Sequence, residues 1–366
     1  MKQLGAKRPL IVTDQGVAAA GLIALVKEAL DGTGVPSDIL YDRVPPDSSP
    51  QVVDEAAGVF QKNACDAILS VGGGSVIDTG KAVNIVVTEG VDSLLDLAGV
   101  KLRKPMRPFI VIPTTAGTGS EVTYAAMIRD AGQHRKLLFA SYLLFPRAAI
   151  LDPRMTLSLP ALITAATAMD AVTHAIEAVI CKPRNLFSDA LAVEAIKLIR
   201  QNLVTVIKNG QDKTGRFCLA NAACMAGAAF SNSGVGVIHA LGHALGGVCQ
   251  VPHGTAMNIL LTHGLEFNMK AVGEHIGQLL LPVAGPEVYS QTPPKERAAK
   301  TITEIRKLQD ILFELTRLAR TLKDAGVKKE SLTQIAQTAM TDAALVFNPV
   351  TVAYEDALEL LKRAYE

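Results

Sequence analysis

The sequence predicts an α/β domain over residues 1–152 followed by an all-helical domain over 153–366. Three observations carry that expectation. The N-terminal part alternates short β-rich runs with helical stretches, the pattern of a parallel sheet covered by helices. From Pro153 onward the segments become long, helical and rich in Ala and Leu, with few β-branched runs. At 366 residues, 49% apolar and 19% charged, the chain is long and apolar enough to bury two cores.

In chain order, PLIVT (9–13) reads as a strand, 17–30 as a helix, DILYD (38–42) as a strand and 50–63 as a helix. AILSV (67–71) is the next strand, running through Gly72-Gly73-Gly74-Ser75 into a helix that reaches Val87. PFIVIP (108–113) leads into TTAGTGSEVT (114–123), and RAAILD (147–152) closes the domain. Helices are expected over 160–181, 187–208, 214–230, 235–248, 255–267, 295–325, 329–344 and 354–365. A sheet domain followed by a helical one predicts a cleft for cofactor and substrate.

The glycine run lies where a strand ends and a helix begins, so its backbone N–H groups can receive a phosphate. A tight turn explains three glycines equally well, and no GxGxxG accompanies them. The Thr114–Ser120 loop also follows a strand and strengthens the phosphate reading. Asp14, at the end of the first strand, either caps a turn or accepts hydrogen bonds from a ribose diol, where its charge would disfavour NADP.

The helical half places His239, His243 and His253, three of only seven histidines, in an apolar, glycine-rich stretch. A helix stacks His239 and His243 at i and i+4, and a turn at Val251-Pro252 returns His253. MDAVTHAIEA offers Asp170 and His174 at the same spacing. One histidine on an apolar helix is ordinarily a hydrogen-bonded core residue. Two matched pairs with a buried carboxylate suit Fe2+ or Zn2+ far better than Mg2+ or Ca2+. Spacing alone does not choose which of the three histidines bind.

A net charge of +1 gives no footprint for nucleic acid or an anionic membrane, leaving small molecules and copies of the chain as partners. Five scattered cysteines without a CxxC predict free thiols in a reducing compartment. No apolar h-region opens the chain and no run approaches a membrane span, so a cytoplasmic protein is expected.

The chain resembles the iron-containing (group III) alcohol dehydrogenases, which include lactaldehyde reductases and propanediol and butanol dehydrogenases. The resemblance runs through TD at 13–14, GGGSVIDTGKA at 72–82, PTTAGTGSEVT at 113–123 and LDP at 151–153. It continues through MDAVTHAIEA at 169–178, HALGHALGGVCQVPHG at 239–254, LEFN at 265–268 and NPVTVAYEDALELL near the C-terminus. It implies a dehydroquinate synthase-like fold: an α/β dinucleotide-binding domain with an all-α metal-binding domain. It also implies Asp170, His174, His239 and His253 as ligands of Fe2+, or of Zn2+, with His243 near the nicotinamide as a proton carrier. NAD(H) would place its pyrophosphate on Gly73, Gly74 and Ser75 and its nicotinamide side near Thr114, Thr115 and Thr118. Lys136 would lie near a ribose, and Asp78 would shape the glycine loop.

The implied reaction is hydride transfer between a primary alcohol or aldehyde and nicotinamide in a homodimer or higher homo-oligomer. Met1 lies a few residues before the first strand, where relatives usually carry a further segment, which bears on any oligomer built there. Tyr124-Ala125-Ala126 puts small side chains where relatives often have larger or polar ones, predicting a wider substrate pocket. Cys249 stands where an aromatic is frequent and reads as core packing. Alternatives within the fold are a glycerol dehydrogenase-like polyol dehydrogenase and a dehydroquinate synthase-like lyase. The lyase calls for a basic pocket, and no Lys and Arg cluster flanks the metal segments.

Overall fold

The computed structural model describes residues 1–130, 132 and 135–366. They form two compact units, one of residues 1–115 and 120–158, the other of residues 116–119 and 159–366.

The first unit holds β1 (Pro9–Val12), α1 (Gln15–Ala19), α2 (Leu22–Leu30), β2 (Leu40–Tyr41), α3 (Pro50–Lys62), β3 (Ala67–Gly72), α4 (Gly74–Glu89), β4 (Phe109–Pro113), β5 (Ala125–Asp130), β6 (Arg135–Ala140) and β7 (Ala148–Ala149). Five strands make a parallel sheet in the order β2-β1-β3-β4-β7. Its three central strands, β1, β3 and β4, are buried on both faces, which is why they read as continuous apolar runs. Leu10, Val12, Ile68 and Val111 belong to the core cluster that includes α3 and α4 residues. Ile11, Leu69, Val71, Ile110 and Ile112 belong to the cluster that includes α2 residues and Met155. Gly72 of β3 pairs with Pro113 of β4, so the turns leaving these strands start side by side at the carboxyl edge, where open α/β sheets bind ligands.

Two local expectations change here. The helix expected over 17–30 is two helices, because Gly21 takes a left-handed conformation (φ 76°) between them. The antiparallel β5–β6 ribbon was not expected, since AAMIRD and RKLLFA carry little β-branched signal.

The second unit contains α5 (Ala161–Ile180), α6 (Leu186–Lys208), α7 (Lys213–Ser233), α8 (Val237–Cys249), α9 (His253–Gln278), α10 (Leu280–Ala284), α11 (Pro286–Gln291), α12 (Arg297–Thr316), α13 (Leu332–Ala339) and α14 (Tyr354–Arg363). Helix α5 is the axis, buried continuously from Ala168 to Ile180 against α6, α7 and α9. Helix α5 reaches the length and mean hydropathy (1.2) of a membrane span, but Asp170, His174 and Glu177 interrupt it and 83% of that window is buried inside the unit. Gly119 and Gly227 of α7 approach so closely that a Cβ on Gly227 would stand 2.7 Å from the Gly119 Cα.

Helix α9 runs well past 267, kinked at Val272, and the short α10 and α11 follow it. Helix α12 stops at Thr316 instead of 325: Arg317 turns left-handed (φ 63°), Leu318 and Leu322 enter the core, and the Ala319 carbonyl accepts a hydrogen bond from buried Asn258. Tertiary burial overrides a helical pattern there.

Candidate metal centre and cofactor loops

On α5, Asp170, His174 and Glu177 fall on one stripe at i, i+4 and i+7. On α8, His239 and His243 are one turn apart, and the tight link through Gln250 (φ 59°) starts α9 at His253. Asp170 Oδ1, His174 Nδ1 and His239 Nε2 lie within 4.8 Å of one another. From Asp170 Oδ1 the distances are 3.7 Å to His174 Nδ1, 3.8 Å to His239 Nε2 and 3.4 Å to His253 Nε2. The first three atoms are buried without a hydrogen-bond partner. Leaving a carboxylate oxygen and two ring nitrogens so costs several kcal/mol. A divalent ion held by three imidazoles and a carboxylate would satisfy them, so these residues fit Fe2+ or Zn2+.

Charges confirm a tightly coupled cluster. Burial alone would raise the Asp170 pKa, but the neighbouring His174, His253 and His239 hold it well below the usual carboxylate range. Burial pushes His174 down to about 3, leaving a neutral ring suited to ligation. Burial also acts to lower His239, but Asp170 and Glu177 on either side carry it up to about 9.

Glu177, to which the sequence assigned no role, orients the site. Its Oε2 stands 2.5 Å from His239 Nδ1, and its Oε1 accepts the Ile238 N–H at 3.0 Å. With Nδ1 so engaged, Nε2 is the nitrogen that faces Asp170. A Cβ at Gly236 would lie 3.1 Å from Glu177 Oε1 and 2.6 Å from Asn348 Oδ1. The position of Glu177 inside MDAVTHAIEA, on the Asp170 stripe, was the available signal.

His243 is held differently: its Nδ1 is 2.8 Å from Asp342 Oδ2, while its ring stacks on His253 with centroids 5.4 Å apart. Burial would raise Asp342, yet His243 and the Ala344 N–H bring it below its ordinary value. Phe230 stacks on His174 at 4.3 Å and walls that side of the ring. The LEFN and NPVT segments meet here: Asn268 and Asn348 exchange hydrogen bonds of 3.1 and 2.9 Å, and Asn348 Oδ1 also takes the Val237 N–H at the start of α8. Cys249 packs against the helical core, as expected.

In the first unit, Gly73 caps α4, and a Cβ there would meet Thr115 Cγ2 at 3.1 Å. The Thr114 N–H donates to the Gly72 carbonyl at 3.0 Å, so Gly73, Gly74, Thr114 and Thr115 form one backbone-rich rim above β3 and β4. Ser75 Oγ accepts the Asp47 N–H at 3.2 Å, and Lys136 Nζ is 2.7 Å from Asp47 Oδ1, so Asp47 links two residues the sequence had named separately. Asp14, at the end of the neighbouring β1, caps α1 by accepting the Val17 N–H at 2.8 Å. Thr118 belongs to the 116–119 segment and is grouped with the second unit. Ala126 is fully buried in the first unit's core and Ala125 pairs with Ala140, so packing, not a widened pocket, accounts for Ala126.

A family profile described as "Iron-containing alcohol dehydrogenase" matches residues 1–153, and "Fe-containing alcohol dehydrogenase family, C-terminal" matches 164–365. The chain is 36% identical to an NAD-dependent methanol dehydrogenase of Bacillus methanolicus, covering all of this chain and 94% of that one. It is 34% identical to a 1,3-propanediol dehydrogenase of Citrobacter freundii, covering 100% and 93% respectively. A solved alcohol dehydrogenase from Oenococcus oeni superposes with a TM-score of 0.93 at 33% identity, over 100% of this chain and 94% of that one.

Proposed function

This chain belongs to the iron-containing alcohol dehydrogenase family, and on that premise we propose which of its residues carry the reaction. It is an NAD-linked, metal-dependent oxidoreductase that interconverts alcohols and aldehydes. Asp170, His174, His239 and His253 hold Fe2+, and the single observation behind this assignment is that three of their donor atoms converge, buried and unpartnered. When bound, the ion supplies Lewis acidity to a substrate oxygen, and nicotinamide accepts or returns the hydride.

The protein's own groups do the rest. Glu177 fixes the His239 ring, and Phe230 confines His174. His243, its Nδ1 held by Asp342, is left with Nε2 to take the proton of an alcohol as it is oxidised, or to give one to the oxygen of an aldehyde as it is reduced to the alcohol. Residues 1–152 serve as the cofactor domain and 153–366 as the metal domain. Gly73, Gly74 and Ser75 at the start of α4 receive the pyrophosphate, and Thr114, Thr115 and Thr118 receive the nicotinamide side. Lys136 and Asp14 meet ribose hydroxyls, and the Asp14 carboxylate disfavours the extra phosphate of NADP. Substrates are short primary alcohols and aldehydes, the class named in the methanol and propanediol relatives. A cytoplasmic homo-oligomer accords with five free cysteines and with exposed Leu186, Phe187 and Val346.

The test is NADH oxidation over a panel of aldehydes, with protein stripped by chelator and reloaded anaerobically with Fe2+ or Zn2+. Turnover should vanish on stripping and return with one ion. NADH binding without turnover in any loaded sample would sink the dehydrogenase assignment.

A further inference from the structure

Three contacts meet on the short strap that joins β2 to α3. The Asp47 N–H donates to Ser75 Oγ at 3.2 Å, and Asp47 Oδ1 accepts from Lys136 Nζ at 2.7 Å. Beside it, the Ser48 carbonyl accepts the Arg129 N–H at 2.7 Å. Arg129 and Lys136 are cross-strand partners in the β5–β6 ribbon, so the strap is fastened to both strands at one rung. Asp47 itself is left-handed (φ 54°), a conformation that few side chains other than Asn and Asp take. Ser48 is buried, and Ser49 caps α3 by accepting the Val52 N–H at 3.4 Å. The backbone around Asp47 is thus fixed, and its side chain, 32% exposed, is the part with room to swing.

Ser75 and Lys136 are the side chains assigned above to the pyrophosphate and a ribose, so one residue engages two groups that the cofactor also needs. The carboxylate matters more than the amide. It sets a negative charge beside the second residue of α4, where the helix N-terminus favours an anion. It also neutralises a cation that would otherwise draw a dinucleotide in. A pyrophosphate reaching this rim meets like charge and a lysine already paired. We infer that Asp47 is an internal competitor of the cofactor: Lys136 passes from Asp47 to the dinucleotide on binding and returns to Asp47 on release, which holds NAD(H) affinity down. The exchange keeps the Lys136 charge paired at every stage and needs one side chain to rotate, not a loop to open. This rests on the reading that the glycine rim and Lys136 hold NAD(H).

The experiment is a fluorescence titration of NADH into iron-loaded wild-type protein, Asp47→Asn, Lys136→Met and the double variant, with Tm measured on the same samples. Asn keeps the size of Asp and tolerates the left-handed backbone. Should that variant fail to fold, Asp47→Gly keeps the conformation and also lacks the carboxylate. The Kd for NADH should fall about five- to tenfold in Asp47→Asn at low salt, and the gap from wild type should narrow as salt rises. In the Lys136→Met background the same substitution should change Kd by less than about twofold. A raised Kd in Asp47→Asn overturns the inference, by making the carboxylate an acceptor for a ribose hydroxyl. A gain of equal size without Lys136 also overturns it, because the carboxylate then acts by repulsion alone. Wild-type protein that binds no NADH removes the cofactor reading and this inference together. Normal wild-type binding with an unchanged Kd in Asp47→Asn removes only the competitor.

Discussion

Both units bury charged side chains, but they treat them in opposite ways. Around Lys81 in the first unit the polar atoms find protein partners: the ammonium takes a hydroxyl and a carbonyl, and Asp78 takes a hydroxyl and an amide. Around Asp170 in the second, a carboxylate oxygen and two imidazole nitrogens point at one another with no hydrogen bond among them. Satisfied buried charges brace a fold; unsatisfied ones that converge describe a ligand by its outline.

The largest test of that contrast is Asp170→Asn. It should abolish iron retention and lower turnover by about a thousandfold or more. In chelator-stripped protein it should lower Tm, since the imidazoles that hold the carboxylate ionised lose their counter-charge. Iron retained by the variant at wild-type occupancy would instead make the donor set scaffolding, like that of the first unit. Next is Glu177→Gln, which keeps shape but weakens the grip on His239 Nδ1: iron affinity, measured by chelator competition, should fall about 10- to 100-fold. Asp342→Asn should act on turnover and spare the metal, reducing kcat about tenfold at full iron occupancy; loss of iron would place His243 among the ligands.

The smallest effect lies in the first unit. Glu121 has its carboxyl raised by burial from 4.5 to about 7. Between those values the folded state keeps a proton that the unfolded chain has released, so stability falls as pH rises through that window and levels off above it. Glu121→Gln should flatten this slope in a series of melting curves, while the Asp170 cluster is left untouched. An unchanged slope would mean that Glu121 is ionised in the folded protein and the braces are less dry than they look.

Features written in short-range spacing were legible in the chain. Two i, i+4 pairs on alanine-rich helices marked Asp170, His174, His239 and His243, and a glycine run between strand and helix marked the rim of α4. Partners supplied from far along the chain were not. Asp342 reaches His243 across 99 residues from a short 3-10 turn with no periodicity to betray it. Thr123 and Ala125 meet Lys81 at the entry to β5, whose composition did not announce a strand. Arg317 ends α12 because Leu318 and Leu322 have somewhere to be buried, a fact about the rest of the unit.

Helix α5 carries a further consequence. Its length and hydropathy just reach those of a membrane span, and Asp170 at its middle with His174 and Glu177 beyond stand against that reading. A carboxylate at that depth opposes entry into a bilayer by about 3 kcal/mol. The residues that suit a metal in the finished protein are therefore also those that make α5 a poor membrane span, and Asp170→Leu would raise its hydropathy as well as break the donor set.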